Sequence, residues 1–244
     1  MPNPHSHAAR MRRALVLFTL AVTAACGGAK VNPEVYQLKK FALVSLCGTK
    51  DLPAIALGPG AMVTADNAWG KLVADQVADE VHSRLAKAMG VEFLPLADVP
   101  GAASYPAAPL LKDVMLGDVY YAPKGLRPIN LDESSGPAIG KLARELGVDG
   151  AVLMAHLWEL KKDKQDLGHY AHTKMMVAVF DTQGKRLWFD LVKADSPKAA
   201  FTLNQMAAEL LGMAVQKSTL DLTAQAVLAA TDKFIADWNA KRPR

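Results

Sequence analysis

Three histidines stand out first. His156, His169 and His172 lie close together in the chain, and imidazole nitrogens are common zinc ligands. His169 and His172 are three apart, a spacing that on a strand sends the side chains to opposite faces. They are candidate metal ligands; the competing reading is a polar strand face beside a charged loop. Cys47 ends an apolar run over 41–47, where it is expected as a small buried residue rather than a reactive thiol. A bridge from Cys47 to the only other cysteine, Cys26, is the alternative in an oxidising compartment. Tyr120 and Tyr121, followed by Lys124 and Arg127, combine residue types that anchor interfaces. They form a candidate partner-binding patch, unless the tyrosines half-cover the core beneath an irregular loop. Asp132-Glu133 before Ser134-Ser135 reads as helix-start chemistry. Gly58-Pro59-Gly60 and Gly136-Pro137 are turn formers without the spacing of a phosphate loop. No nucleophile elbow and no catalytic constellation emerges, and no cofactor is expected.

Cys26 has a separate context. Arg10, Arg12 and Arg13 make a basic segment, and residues 14–25 form an uncharged apolar stretch. That stretch is too short to span a bilayer but has the length of a signal-peptide core. It ends in Val22-Thr23-Ala24-Ala25-Cys26-Gly27. This junction resembles the lipobox of bacterial lipoproteins, with Thr23 where that family usually has an aliphatic residue. The resemblance implies cleavage before Cys26, a diacylglycerol thioether on its sulfur and acylation of its amine. Several acyl chains, at roughly 0.8 kcal/mol per buried methylene, anchor a chain stably without a transmembrane helix. Gly27 after the cysteine resembles the sorting pattern for the outer membrane, on its periplasmic side. A plain secretory signal cut near Ala25 is the alternative, and Met11 is an alternative start.

The leader also changes the charge. The formal net charge is +4, but three of those charges are Arg10, Arg12 and Arg13, with no acid among residues 1–25. The remainder carries +1, which removes the electrostatic case for nucleic-acid binding. The basic residues at 241–244 read as a solvated tail.

Residues 27–36 read as a tether and 37–241 as one globular domain. A near-continuously apolar strand is expected over 39–47, then a loop over 51–66. A helix over 67–89, capped by Asp66 or Asn67, carries Leu72, Val73, Val77, Val81, Leu85 and Met89 at helical spacing. Gly90 stops it, and a short edge strand over 91–96 contains Pro95. Residues 98–134 are broken by proline and glycine and read as an irregular insertion with a short helix over 110–116. A helix over 135–146 precedes strands over 149–160, 170–180 and 186–192. The turn Asp181-Thr182-Gln183-Gly184 joins the last two. In the third strand Leu187, Phe189 and Leu191 alternate with Arg186, Trp188 and Asp190. Helices over 203–215 and 220–239 close the chain. The fold class is α/β (α+β): a mixed sheet with a C-terminal antiparallel meander and helices packed on it.

That order resembles the anticodon-binding-domain-like fold of periplasmic lipoproteins and secretion components. Its members include the N-terminal domain of the translocation protein TolB, the curli secretion lipoprotein CsgG and the lipoprotein activators of penicillin-binding proteins. The resemblance lies in residues 40–46, in 146–153 and in 177–188. It implies a binding or assembly role at the cell envelope with a protein partner, and it supplies no site residues. The expectation is therefore a non-enzymatic envelope lipoprotein. The alternatives are a small-molecule or metal-binding lipoprotein and a hydrolase with a dispersed site.

Overall fold

The computed structural model describes residues 29–49, 69–112, 120–162, 169–199 and 217–243. Cys26, the helix cap at Asp66 or Asn67, the loop over 51–66 and the helix over 203–215 lie outside them. The elements are β1 (Lys30–Val31), β2 (Lys40–Thr49), α1 (Trp69–Ala88), β3 (Glu92–Phe93), β4 (Tyr120–Tyr121), α2 (Gly136–Glu145), β5 (Gly150–Lys162), β6 (His169–Asp181), β7 (Arg186–Asp195) and α3 (Lys217–Lys241).

These strands form one mixed sheet in the order β1-β7-β6-β5-β2-β3, with β4 paired to the far end of β2. β2 is parallel to β3 and β5, while β5, β6 and β7 form an antiparallel meander. The β2 side chains are buried from Phe41 to Gly48, as a central strand covered on both faces requires. The Phe41 ring meets Trp238 of α3 at 5.9 Å, which defines a helix face. The Ser45 hydroxyl points the other way, into residues 127–129, which defines a loop face.

On the helix face α1 and α3 run side by side in the same direction. Gln76 bonds Asp221, Arg84 pairs with Asp232, and Asn239 caps the Ala88 carbonyl. Val73, Val77, Val81, Leu85 and Met89 are buried as their spacing predicts, but Leu72 is 45% exposed. Trp188, Phe234, Trp238, Phe41 and Tyr36 form an aromatic cluster with ring centroids 5.0–5.9 Å apart. Trp188 and Leu187 are both buried, against the expected alternation. A register shift opposite Val179 and Phe180 inserts Leu187 as an extra residue, so two consecutive side chains turn inward.

The loop face is covered over β2 by the stretch expected to be irregular. Residues 96–107 form two 3-10 turns. Leu110 makes an isolated bridge with Ile129, which replaces the start of the helix expected over 110–116; residues 113–119 lie outside the described chain. The cover is pinned where β2 bulges between Leu43 and Ser45. Tyr105 donates its hydroxyl hydrogen to the Val44 carbonyl at 2.9 Å and accepts from the Arg127 amide at 2.7 Å. Ser45 donates to the Arg127 carbonyl and accepts from the Ile129 amide. Glycines at 136 and 140 let α2 lie against the β6–β7 turn, where Gly184 has φ +82°.

Residues 30–35 and 241–242 are more firmly docked than their sequences suggest. Residues expected in a tether instead pair with β7, Lys30 opposite Phe189 and Val31 opposite Trp188. Val35 is fully buried, and Glu34 forms an ion pair with Lys185. At the other end Lys241 completes α3 and sets its ammonium 5.4 Å from the Trp188 ring centre. The Arg242 guanidinium reaches the Met89 carbonyl. Aromatic partners in the core hold residues that composition alone assigns to solvent.

Candidate functional site

The expected aromatic patch is divided by the strand it sits on. Tyr120 and Tyr121 are adjacent on β4 and point to opposite faces. Tyr120 is buried, so the pair is not the exposed aromatic pair that the sequence suggests. Tyr121 lies over the first turns of α1. Its hydroxyl donates to Asp75 at 3.1 Å and its ring receives the Lys71 ammonium at 5.6 Å. Burial, with Asp75 beside it, raises the Tyr121 phenol above its ordinary pKa. Lys124 pairs with Asp79 at 3.0 Å. Arg127 is half-buried, and both its backbone polar groups are used by the bulge. What remains at the surface is Tyr121 with Lys71, Asp75 and the exposed Leu72 beside them on α1. Helical spacing places Leu72 in the buried stripe, and only its exposure adds it to this patch.

The three histidines do not converge. Strand register places His156 of β5 opposite Met175, and His172 of β6 opposite Glu159. Residues 156 and 159 lie on opposite faces, so His156 and His172 point away from each other. His169 pairs through its backbone with Lys162 at the far end of the same ladder. Among the described residues no group of three His, Cys, Asp or Glu could hold a metal ion.

His156 is instead a core residue of the helix face. It is fully buried, and burial pushes its pKa down to about 3, so it is neutral. Thr173 donates to the Leu157 carbonyl at 3.3 Å, and its oxygen lies 3.4 Å from His156 Nδ1. That arrangement places the imidazole proton on Nδ1 and leaves a lone pair on Nε2, which has no partner. The Trp158 ring stacks beside it at 6.2 Å and covers Gly48, where a Cβ would lie 2.0 Å from the indole. Cys47 occupies the loop face. It is a free buried thiol whose pKa burial raises to about 12; Cys26 lies outside the described residues.

Past its cover, the loop face opens. Alternation from Leu153, which pairs with Ser45, puts Leu157 and Glu159 on this face. Register extends it to Met176, Lys174 and His172 on β6. On β7 the matching positions are Phe189, Leu191, Lys193 and Asp195. Leu157, Met176, Phe189 and Leu191 are half-buried, and Lys193 and Asp195 are exposed. The result is an apolar band across three strands, bordered by charge. The Arg186 guanidinium stacks on Phe189 at 4.5 Å, Glu159 pairs with Lys161 and Lys174, and His172 pairs with Asp195.

A separate open cleft of about 690 Å³ lies at the opposite end of β2, between Tyr36, Lys39, Ala86, Glu92 and Arg242.

No family model matches the chain, and no curated protein matches it. Solved structures similar to the chain include two of bacterial proteins. One is the hypothetical protein CT253 from Chlamydia trachomatis, at 12% identity and TM-score 0.34, covering 84% of this chain and 95% of that one. The other is lipoprotein GNA1162 from Neisseria meningitidis, at 15% identity and TM-score 0.35, covering 82% of this chain and 99% of that one.

Proposed function

We propose that the chain is a lipid-anchored envelope protein that binds a protein partner or supports assembly of an envelope complex, rather than catalysing a reaction. The observation that carries this reading is the junction at Cys26. A basic segment, an apolar core, small residues and a cysteine followed by glycine stand in the order that lipidation requires. No helix among the described residues is long and apolar enough to cross a membrane, so a lipid at Cys26 would be the attachment. Sorting to the outer membrane, facing the periplasm, follows from Gly27 on the same reading.

The titratable groups support a binding role. The strongly perturbed groups His156, Cys47 and Tyr105 are all shut in the core, the first neutral and the second a protonated thiol. Tyr121, Lys71, Asp75 and Leu72 place an aromatic ring, two charges and an apolar side chain on one accessible patch, a composition suited to a protein interface. The test is a photo-crosslinking residue at Leu72 in cells that export the chain, with exposed Gln225 on α3 as reference. A discrete adduct at Leu72 that disappears with Tyr121→Ala is the expected result. Equal adducts at Leu72 and Gln225, unaffected by Tyr121→Ala, would contradict the assignment of the patch.

A further inference from the structure

We propose that the open part of the loop face, centred on Leu157, Met176 and Leu191, rests on the surface of the lipid bilayer to which Cys26 is attached. The proposal depends on the anchor reading above and adds an orientation to it.

The first reason is reach. Only Gly27, Gly28 and Ala29 separate Cys26 from Lys30, which is already paired with Phe189. Backbone spans at most about 3.6 Å per residue, so four steps hold the Cys26 backbone within about 14 Å of that pair. A body tied this closely cannot stand away from the membrane, and some surface near the β1–β7 edge must meet lipid headgroups.

The second reason is what that edge offers. On the helix face α3 covers β7, with Trp188 fully buried beneath Phe234 and Trp238. On the loop face Phe189 and Leu191 continue through Met176 to Leu157 without full cover. An apolar band left open on one face of a sheet is a contact surface in waiting.

The third reason is the charge around the band. Lys174 and Lys193 follow on the same face, one register step beyond Met176 and Leu191. A lysine stem can lie along apolar surface while its ammonium group reaches outward, the arrangement that meets acyl chains below and phosphates above, and Lys193 is exposed at this border. The acids on this face are already engaged: Glu159 with Lys161 and Lys174, Asp195 with His172. Tyr121 and Leu72, on the helix layer, would then face away from the bilayer and stay open to a partner.

The test uses the full lipidated chain inserted through its own anchor into vesicles of phosphatidylethanolamine and phosphatidylglycerol. An environment-sensitive fluorophore is attached at Leu191→Cys, at the exposed Lys193→Cys in case the first change disturbs packing, and at Leu72→Cys as reference. Buried Cys47 stays unlabelled. The expected result is blue-shifted emission at 191 and 193, quenched severalfold more strongly by lipid-borne spin labels than emission at 72. If the chain floats with the vesicles but 191 and 193 respond only to aqueous quenchers, the orientation is wrong and the anchor stands. If both positions are shielded from lipid and aqueous quenchers alike, a protein, such as a second copy, covers the face and the proposal fails. If the chain does not float, the anchor reading fails and takes the proposal with it.

Discussion

The Tyr105 hydroxyl donates to the Val44 carbonyl at 2.9 Å across 61 residues of sequence. It thereby ties the cover of the loop face to the bulge in β2. The same oxygen accepts from the Arg127 amide, so one side chain joins a bulge, a 3-10 turn and the approach to Ile129. Removing that oxygen strands two backbone groups. Tyr105→Phe is expected to cost about 3 kcal/mol in urea unfolding, with the denaturant slope unchanged. A loss below about 1 kcal/mol would show that the cover is held elsewhere.

Gly140 predicts an inverted propensity effect. In an exposed helix Gly→Ala stabilises by up to about 1 kcal/mol. Here a Cβ on Gly140 would sit 2.5 Å from the Gly184 nitrogen and 2.9 Å from the Gln183 carbonyl carbon. Both neighbours are backbone and cannot swing aside. Gly140→Ala is therefore expected to destabilise by about 1–3 kcal/mol and to lower Tm. Gly101→Ala, whose Cβ would meet nothing within 4 Å, is expected to be near neutral in the same melts.

His156 gives the fold an acid-sensitive element of known sign. Its ordinary pKa is 6.5 and its folded pKa about 3, lowered by burial. Above pH 6.5 the imidazole is neutral in both states and contributes no pH dependence. Between 6.5 and 3 the unfolded chain binds a proton that the folded chain refuses, so stability falls with falling pH. The loss is of order 2 kcal/mol by about pH 5. Comparing thermal unfolding of wild type and His156→Leu across that window isolates the contribution. The variant should lose about one proton's worth of slope, and parallel curves would refute the assignment.

Cys47 predicts silence. A buried thiol with its pKa near 12 should not react with maleimide in the native chain and should react in guanidinium. With Cys26 acylated, the denatured mature chain should then show one reactive thiol. Two would mean that the Cys26 sulfur is free.

Much of the fold is legible from local signals. The apolar run of β2, the 3.6-residue stripe of α1, the alternation of β6 and the glycines ending α1 and forming the β6–β7 turn all appear where periodicity puts them. The mixed sheet and meander follow from their order. What escaped has a common physical cause: it depends on contacts distant in sequence. The cover at 98–134 is set by Tyr105 and Ser45 bonding backbone groups far along the chain, which leaves no period to read. Leu187 and Trp188 face inward together because of a register shift. The docked tether and tail depend on Trp188 and Trp238. The candidate patch was half legible: Tyr121 stands at the surface, Tyr120 does not, and Leu72 joins them from a helix stripe one position wider than the core it covers. The histidines lie close in sequence, and strand parity sends His156 and His172 to opposite faces.

The measurement that bears most directly on the central claim is metabolic labelling with a palmitate analogue in cells expressing the wild-type chain or Cys26→Ala. A lipid-anchored chain predicts label in the wild type, a mature mass carrying the acyl groups, and loss of both in Cys26→Ala. Equal labelling of the two chains, or an unacylated wild-type product cut near Ala25, would contradict it.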